Sequence, residues 1–219
     1  MEDIFAGTFG IKFTSNIVFD VIHQTSAFEI KSEINKNNRC KINFTYKEDE
    51  YLYVYNIEKY NNFSGTDIMK KVIELGNKLK VKYIELCDYA MFNAGDYKDL
   101  SVALAPFHII TTGSSWYNKF GFKSENTNDE KEENEKIINQ LFSDLVDSQF
   151  CEKFQEHFLE IDTKTQTLKQ IFVYLKNTYI NNKPERKKMT YSQSYLLENL
   201  TLDLFYILSY EPTLRYYFD

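Results

Sequence analysis

A change of hydrophobic period divides this chain. Between residues 11 and 59 apolar side chains recur at every second position, and between 66 and 80 they recur at helical spacing. Cys40-Lys41-Ile42-Asn43-Phe44-Thr45-Tyr46 alternates without a break, and Tyr51, Tyr53, Tyr55 and Ile57 fall on one face of the next run. Successive side chains of a strand point to opposite faces, so a period of two is what a half-buried strand requires. Ile11, Phe13, Ile17, Phe19, Val21, Phe28 and Ile30 alternate in the same way. Residues 35–39 and 47–50 are short polar linkers. The pattern predicts an antiparallel meander of about four strands.

Ile68, Met69, Val72, Ile73, Leu75 and Leu79 then mark one stripe of a helix. Ser64 or Thr66 is suited to cap it, Asp67 to its first turn, and Lys78 and Lys80 to its last. Residues 83–87 read as a strand, 93–96 as a loop, and 102–111 as a further strand that Pro106 confines to an edge or a bulge. Gly113 then leads into a short helix carrying Trp116 and Tyr117 and closed by Gly121. Strand, helix and strand after a meander indicate an α/β (α+β) sheet, mixed but mainly antiparallel, with flanking helices. Residues 126–134 read as an acidic linker, and three apolar stripes within 137–146, 168–179 and 196–208 as a C-terminal helical extension. The expected organisation is a sheet domain at 1–123, then an acidic linker and helical extension at 124–219.

The net charge of −6 is uneven: residues 124–219 carry 17 acids against 11 bases, and the first 123 residues carry 15 of each. Phosphate neutralisation needs clustered cations, so a nucleic-acid partner is not expected. The one basic run, Arg186-Lys187-Lys188, reads as a solvated loop. Cys40, Cys87 and Cys151 stand far apart, and His23 and His157 lack partners at ligand spacing, so no metal is expected. No apolar run approaches the roughly 20 residues of a membrane helix. Met1-Glu2-Asp3-Ile4 has no basic-then-apolar pattern. A reducing compartment, cytoplasmic or nuclear, is the expected home.

Two segments carry a family resemblance. Tyr117-Asn118-Lys119-Phe120-Gly121-Phe122 follows Gly113-Ser114-Ser115-Trp116, and residues 65–88 read as loop, helix and strand. Together they resemble the second half of the GCN5-related N-acetyltransferase (GNAT) fold, over roughly residues 40–123. The resemblance implies transfer of an acyl group from acetyl-CoA to an amine. In that family a loop before a helix holds the coenzyme pyrophosphate, where free N–H groups and the helix dipole favour an anion. The matching positions here are Tyr60-Asn61-Asn62-Phe63-Ser64-Gly65 and Thr66, so the resemblance implies cofactor binding by Asn62, Phe63, Ser64, Gly65 and Thr66. Tyr60 stands where the family has Gln or Arg, and Phe63 where it has its first Gly; an ordinary capped helix start is the other reading of these residues. Tyr-xxx-Gly-Phe places Tyr117 where the family has the acid that protonates the departing thiolate. Ile110 and Gly113 replace the Asn and Ala often found upstream.

The attacking amine must lose a proton, and Glu58, Asp88 and His108 are the candidate bases; solvated, turn-capping and half-buried structural roles are the respective alternatives. The acidity beyond residue 123 favours a cationic acceptor, such as a polyamine or a lysine-bearing peptide. The altered loop and the added helices support a second expectation. It is a catalytically degenerate relative serving as scaffold, with a protein partner or homodimer engaging Tyr206, Tyr210, Tyr216, Tyr217 and Phe218. Core packing is the other reading of those aromatics.

Overall fold

The computed structural model describes residues 18–20, 25–31, 40–47, 49–59, 65–93, 97, 100–180 and 188–218. The chain is mixed α/β and falls into two compact units, one of residues 1–87, 119–124 and 212–219, the other of 88–118 and 125–211.

The first unit holds the expected meander: β1 (Val18–Asp20), β2 (Thr25–Lys31), β3 (Cys40–Lys47) and β4 (Tyr51–Lys59), each antiparallel to the next. Ile11 and Phe13 lie outside the described residues. The alternation is interrupted once. Phe44 faces Val54 while Asn43 faces Asn56, so Tyr55 is an extra residue in β4. Positions 51 and 53 are therefore out of phase with 57, contrary to the unbroken period read from sequence.

Helix α1 (Gly65–Lys78) follows, with Asp67 in its first turn and Lys78 in its last. It buries Ile68, Met69, Val72 and Leu75, the stripe expected. Gly76 lies on the same face because β5 comes too close for a side chain: a Cβ there would meet Ile84 Cδ1 at 2.7 Å and Phe218 Cζ at 2.9 Å. β5 (Tyr83–Cys87) runs parallel to β4, from Tyr51 opposite Tyr83 to Val54 opposite Leu86. Its other edge takes β8 (Thr213–Tyr217), antiparallel, with Glu85 opposite Arg215. Lys123 and Arg215 in turn exchange backbone hydrogen bonds of 2.8 Å each way. The helical reading of the chain's last residues is thus corrected at 213–217. Pro212 ends helical continuation, and Leu214 then buries itself between half-buried neighbours, as a strand does. Tyr216 and Tyr217 are strand residues, not helical ones.

The second unit opens with a hairpin, β6 (Met91–Asn93) and β7 (Ser101–Ala103). Helix α2 (Leu104–Thr112) comes next, where a strand was expected over 102–111. Pro106 sits in the first turn of α2, where an N–H has no intrahelical partner to lose. His108 is consequently a helix residue. Gly113 ends α2 at φ +83°, donating its N–H to the Ile109 carbonyl at 2.7 Å. The short helix expected at Trp116 and Tyr117 is a 3₁₀ helix, Trp116–Phe120, which passes to Gly121 at φ +95°.

The acidic stretch expected as a linker is helix α3 (Thr127–Ile138), with Asp129 and Glu130 in its first turn. After it come α4 (Phe142–Leu145), α5 (Ser148–His157), α6 (Leu168–Leu175), a π-helical turn (Lys176–Ile180) and α7 (Tyr191–Ile207). The Asp147 side chain caps α5, and capping boxes start α6 (Thr167, Gln170) and α7 (Thr190, Gln193). These helices enclose one core, with Phe142, Phe154, Phe158, Phe172, Leu197 and Leu204 fully buried.

Candidate functional site

Gly65 and Thr66 open α1, both half-buried. The first N–H groups of a helix lack intrahelical acceptors and sit at the positive end of its dipole, which is the chemistry of an anion site. Asn62, Phe63 and Ser64, the other residues of the expected cofactor loop, lie outside the described residues. Glu58 lies on β4, and its side chain too is outside what the structure describes.

Asp88 follows β5 as the first residue of the second unit and is 1% exposed. Ser115, 6% exposed, donates its hydroxyl proton to Asp88 Oδ2 at 2.7 Å. The Tyr117 N–H donates to the same Ser115 Oγ at 3.3 Å. The Tyr210 hydroxyl donates to the Asp88 carbonyl at 3.5 Å. Asp88, Ser115, Tyr117 and Tyr210 therefore form one hydrogen-bonded cluster. The Trp116 ring closes on Tyr117 edge-on, 5.0 Å between centroids.

Burial sets the electrostatics. It pushes the Asp88 carboxyl above the usual carboxylate range, against hydrogen bonds from Ser115, Tyr210 and the Ala90 N–H, which favour the anion. It pushes the Tyr117 phenol up, and the Asp88 charge adds to the effect. The Tyr210 phenol moves the same way, through burial first and then the charge of Asp88. Both phenols thus stay protonated at neutral pH, as donors. A carboxylate this enclosed suits an internal anchor better than direct contact with an arriving amine.

Of the four groups read as catalytic, Asp88 and Tyr117 share one cluster. Ser115 and Tyr210 had no role in the chemistry read from sequence. Ser115 is one of two adjacent serines in Gly113-Ser114-Ser115-Trp116, a stretch in which the resemblance gives the serines no role. Tyr210 was read as an interface aromatic, and it lies 122 residues from the Asp88 carbonyl it meets, a separation that no spacing rule bridges.

Among the described residues no group of three or more His, Cys, Asp and Glu is placed to hold a metal ion, and no helix is long and apolar enough to cross a membrane. Comparison of the chain with family models, curated proteins and solved structures finds no match.

Proposed function

We propose that this chain is an acyl-CoA-dependent N-acetyltransferase with a GNAT-like sheet. The reading rests on one observation above all. The parallel ladder of β4 and β5 ends at Val54 and Leu86, beside the extra residue Tyr55, although β4 runs on to Lys59. β5 ends at Cys87, so β4 beyond the bulge has backbone N–H and C=O groups with no β5 partner, which suit an extended, amide-bearing arm such as pantetheine. The crossover from β4 to β5 also begins its helix at Gly65, where a pyrophosphate would find unpaired N–H groups.

In this reaction the amine nitrogen bonds to the acyl carbon and the carbon–sulfur bond breaks. The resemblance assigns the proton for the leaving thiolate to the Tyr117 phenol, and the uptake of the amine's proton, directly or through water, to Glu58. The exposed acids of α3, among them Asp129, Glu132 and Glu133, favour a cationic acceptor such as a polyamine or a lysine-bearing peptide.

Calorimetry with acetyl-CoA tests the proposal. Micromolar binding that Gly65→Arg abolishes is the expected result, and no binding at millimolar cofactor overturns it. A second reading, a degenerate transferase acting as a scaffold, is favoured by α7, where Tyr191, Tyr195, Leu202 and Tyr206 are exposed, Tyr206 to 91%. That reading takes a protein partner or a second copy of the chain on those residues.

A further inference from the structure

The Ser115 hydroxyl works in two directions at once: it donates to Asp88 Oδ2 at 2.7 Å and accepts the Tyr117 N–H at 3.3 Å. The donor–acceptor order is fixed, because a carboxylate only accepts and an N–H only donates. The shorter bond is charge-assisted and closed off from water, which makes it the firmer anchor. Asp88 is itself tethered, its carbonyl taking the Tyr210 hydroxyl and the Ala90 carbonyl two residues on taking the Leu104 N–H at 2.8 Å.

We infer that Asp88 and Ser115 are positioning residues, which hold the turn bearing Tyr117 so that its half-buried ring is kept in place. Asp88 in this arrangement is not the base. The purpose of the device rests on the acyl-transfer reading, in which a departing thiolate needs a phenol already in place. Asp88 and Tyr210 are titratable groups that act on Tyr117, and the Trp116 ring packs edge-on against it.

Tyrosinate absorbance of the full chain tests the inference. Wild type and Tyr117→Phe should rise together up to about pH 11, an ordinary tyrosine titrating near 10. Ser115→Ala frees the turn, so Tyr117 should titrate at least about one pH unit lower. Ser115→Ala should then gain one tyrosine's absorbance over the Ser115→Ala/Tyr117→Phe double variant. Ser115→Thr keeps the hydroxyl and should match wild type. Asp88→Asn removes a charge that itself raises the Tyr117 phenol, so Ser115→Cys, which keeps the size and weakens both hydrogen bonds, serves if Ser115→Ala does not fold. Coincident titrations of a folded Ser115→Ala and its double variant overturn the inference.

In an acetyl-CoA and polyamine assay, Ser115→Ala should lower kcat about tenfold, a partial loss of the roughly 10²–10⁴-fold that a positioned acid contributes. KM for acetyl-CoA should hold, and the Tyr117→Phe background should show no further loss. An unchanged kcat overturns the positioning role. The titration shift without any transfer upholds it and overturns the acyl-transfer reading instead.

Discussion

Asn134 grips the backbone of Ser209 twice: its Nδ2 donates to the Ser209 carbonyl at 2.7 Å, and its Oδ1 accepts the Ser209 N–H at 3.0 Å. The side chain imitates a peptide group, and at 3% exposure water cannot replace it. Asn134→Ala leaves the N–H and carbonyl of half-buried Ser209 without their partner. The expected cost is about 1–3 kcal/mol, read as a lower urea midpoint with an unchanged slope. A midpoint equal to wild type would show that the segment after α7 is held by other contacts.

Asp88 gives the protein a pH dependence of unusual sign. Its folded pKa lies above the unfolded one, so the folded state binds the proton more tightly. Its contribution is fully present below the ordinary value near 3.9 and is lost as pH rises through the raised folded value. Asp88→Asn has no proton to lose. Unfolding free energies measured from pH 4 to pH 8 should move in the variant's favour as pH rises and then level off. A constant difference would mean that hydrogen bonds cancel the effect of burial.

Gly76→Ala sets two effects against each other. Alanine raises intrinsic helix stability by about 1 kcal/mol, but its methyl group enters the space of Ile84 and Phe218. Overpacking costs typically about 1–3 kcal/mol, so the net change should be destabilising. Adding Ile84→Val removes the nearest atom and should recover part of the loss in thermal melts. A Gly76→Ala protein that melts higher than wild type would refute the close approach.

Tyr117→Phe keeps the ring that packs against Trp116 and removes only the hydroxyl. In the proposed transferase it should lower kcat about 10²-fold, with little change in the KM for acetyl-CoA. A poorer leaving-group thiol should widen the gap from wild type. Equal kcat values would take Tyr117 out of the chemistry.

The strands of the meander and α1 were legible because their periods differ: Cys40-Lys41-Ile42-Asn43-Phe44 can serve only as a two-sided strand, and Ile68, Met69, Val72 and Leu75 only as a helical stripe. Helix α2 was not, since Leu104-Ala105-Pro106-Phe107 is apolar on every side and gives no period to read. In α3 the pattern is hidden the other way. It buries one polar residue, Asn134, and one apolar residue, Ile138, so its inner face does not look apolar. The candidate site was half legible. Tyr117 and Asp88 were within reach of sequence reasoning, but the hydroxyls that organise them come from Ser115 and Tyr210. Chain folding, not local spacing, brings these together.

β8 has a neighbour on each side, β5 and Lys123, yet residues 125–211 of the other unit intervene before the chain returns to lay it down. During synthesis β5 must therefore wait, one edge bare, while a ribosome spells out the whole helical unit. Any delay there leaves an adhesive rim open to other nascent chains, so heat-shock holdases should be needed earlier than the fold's modest size would imply.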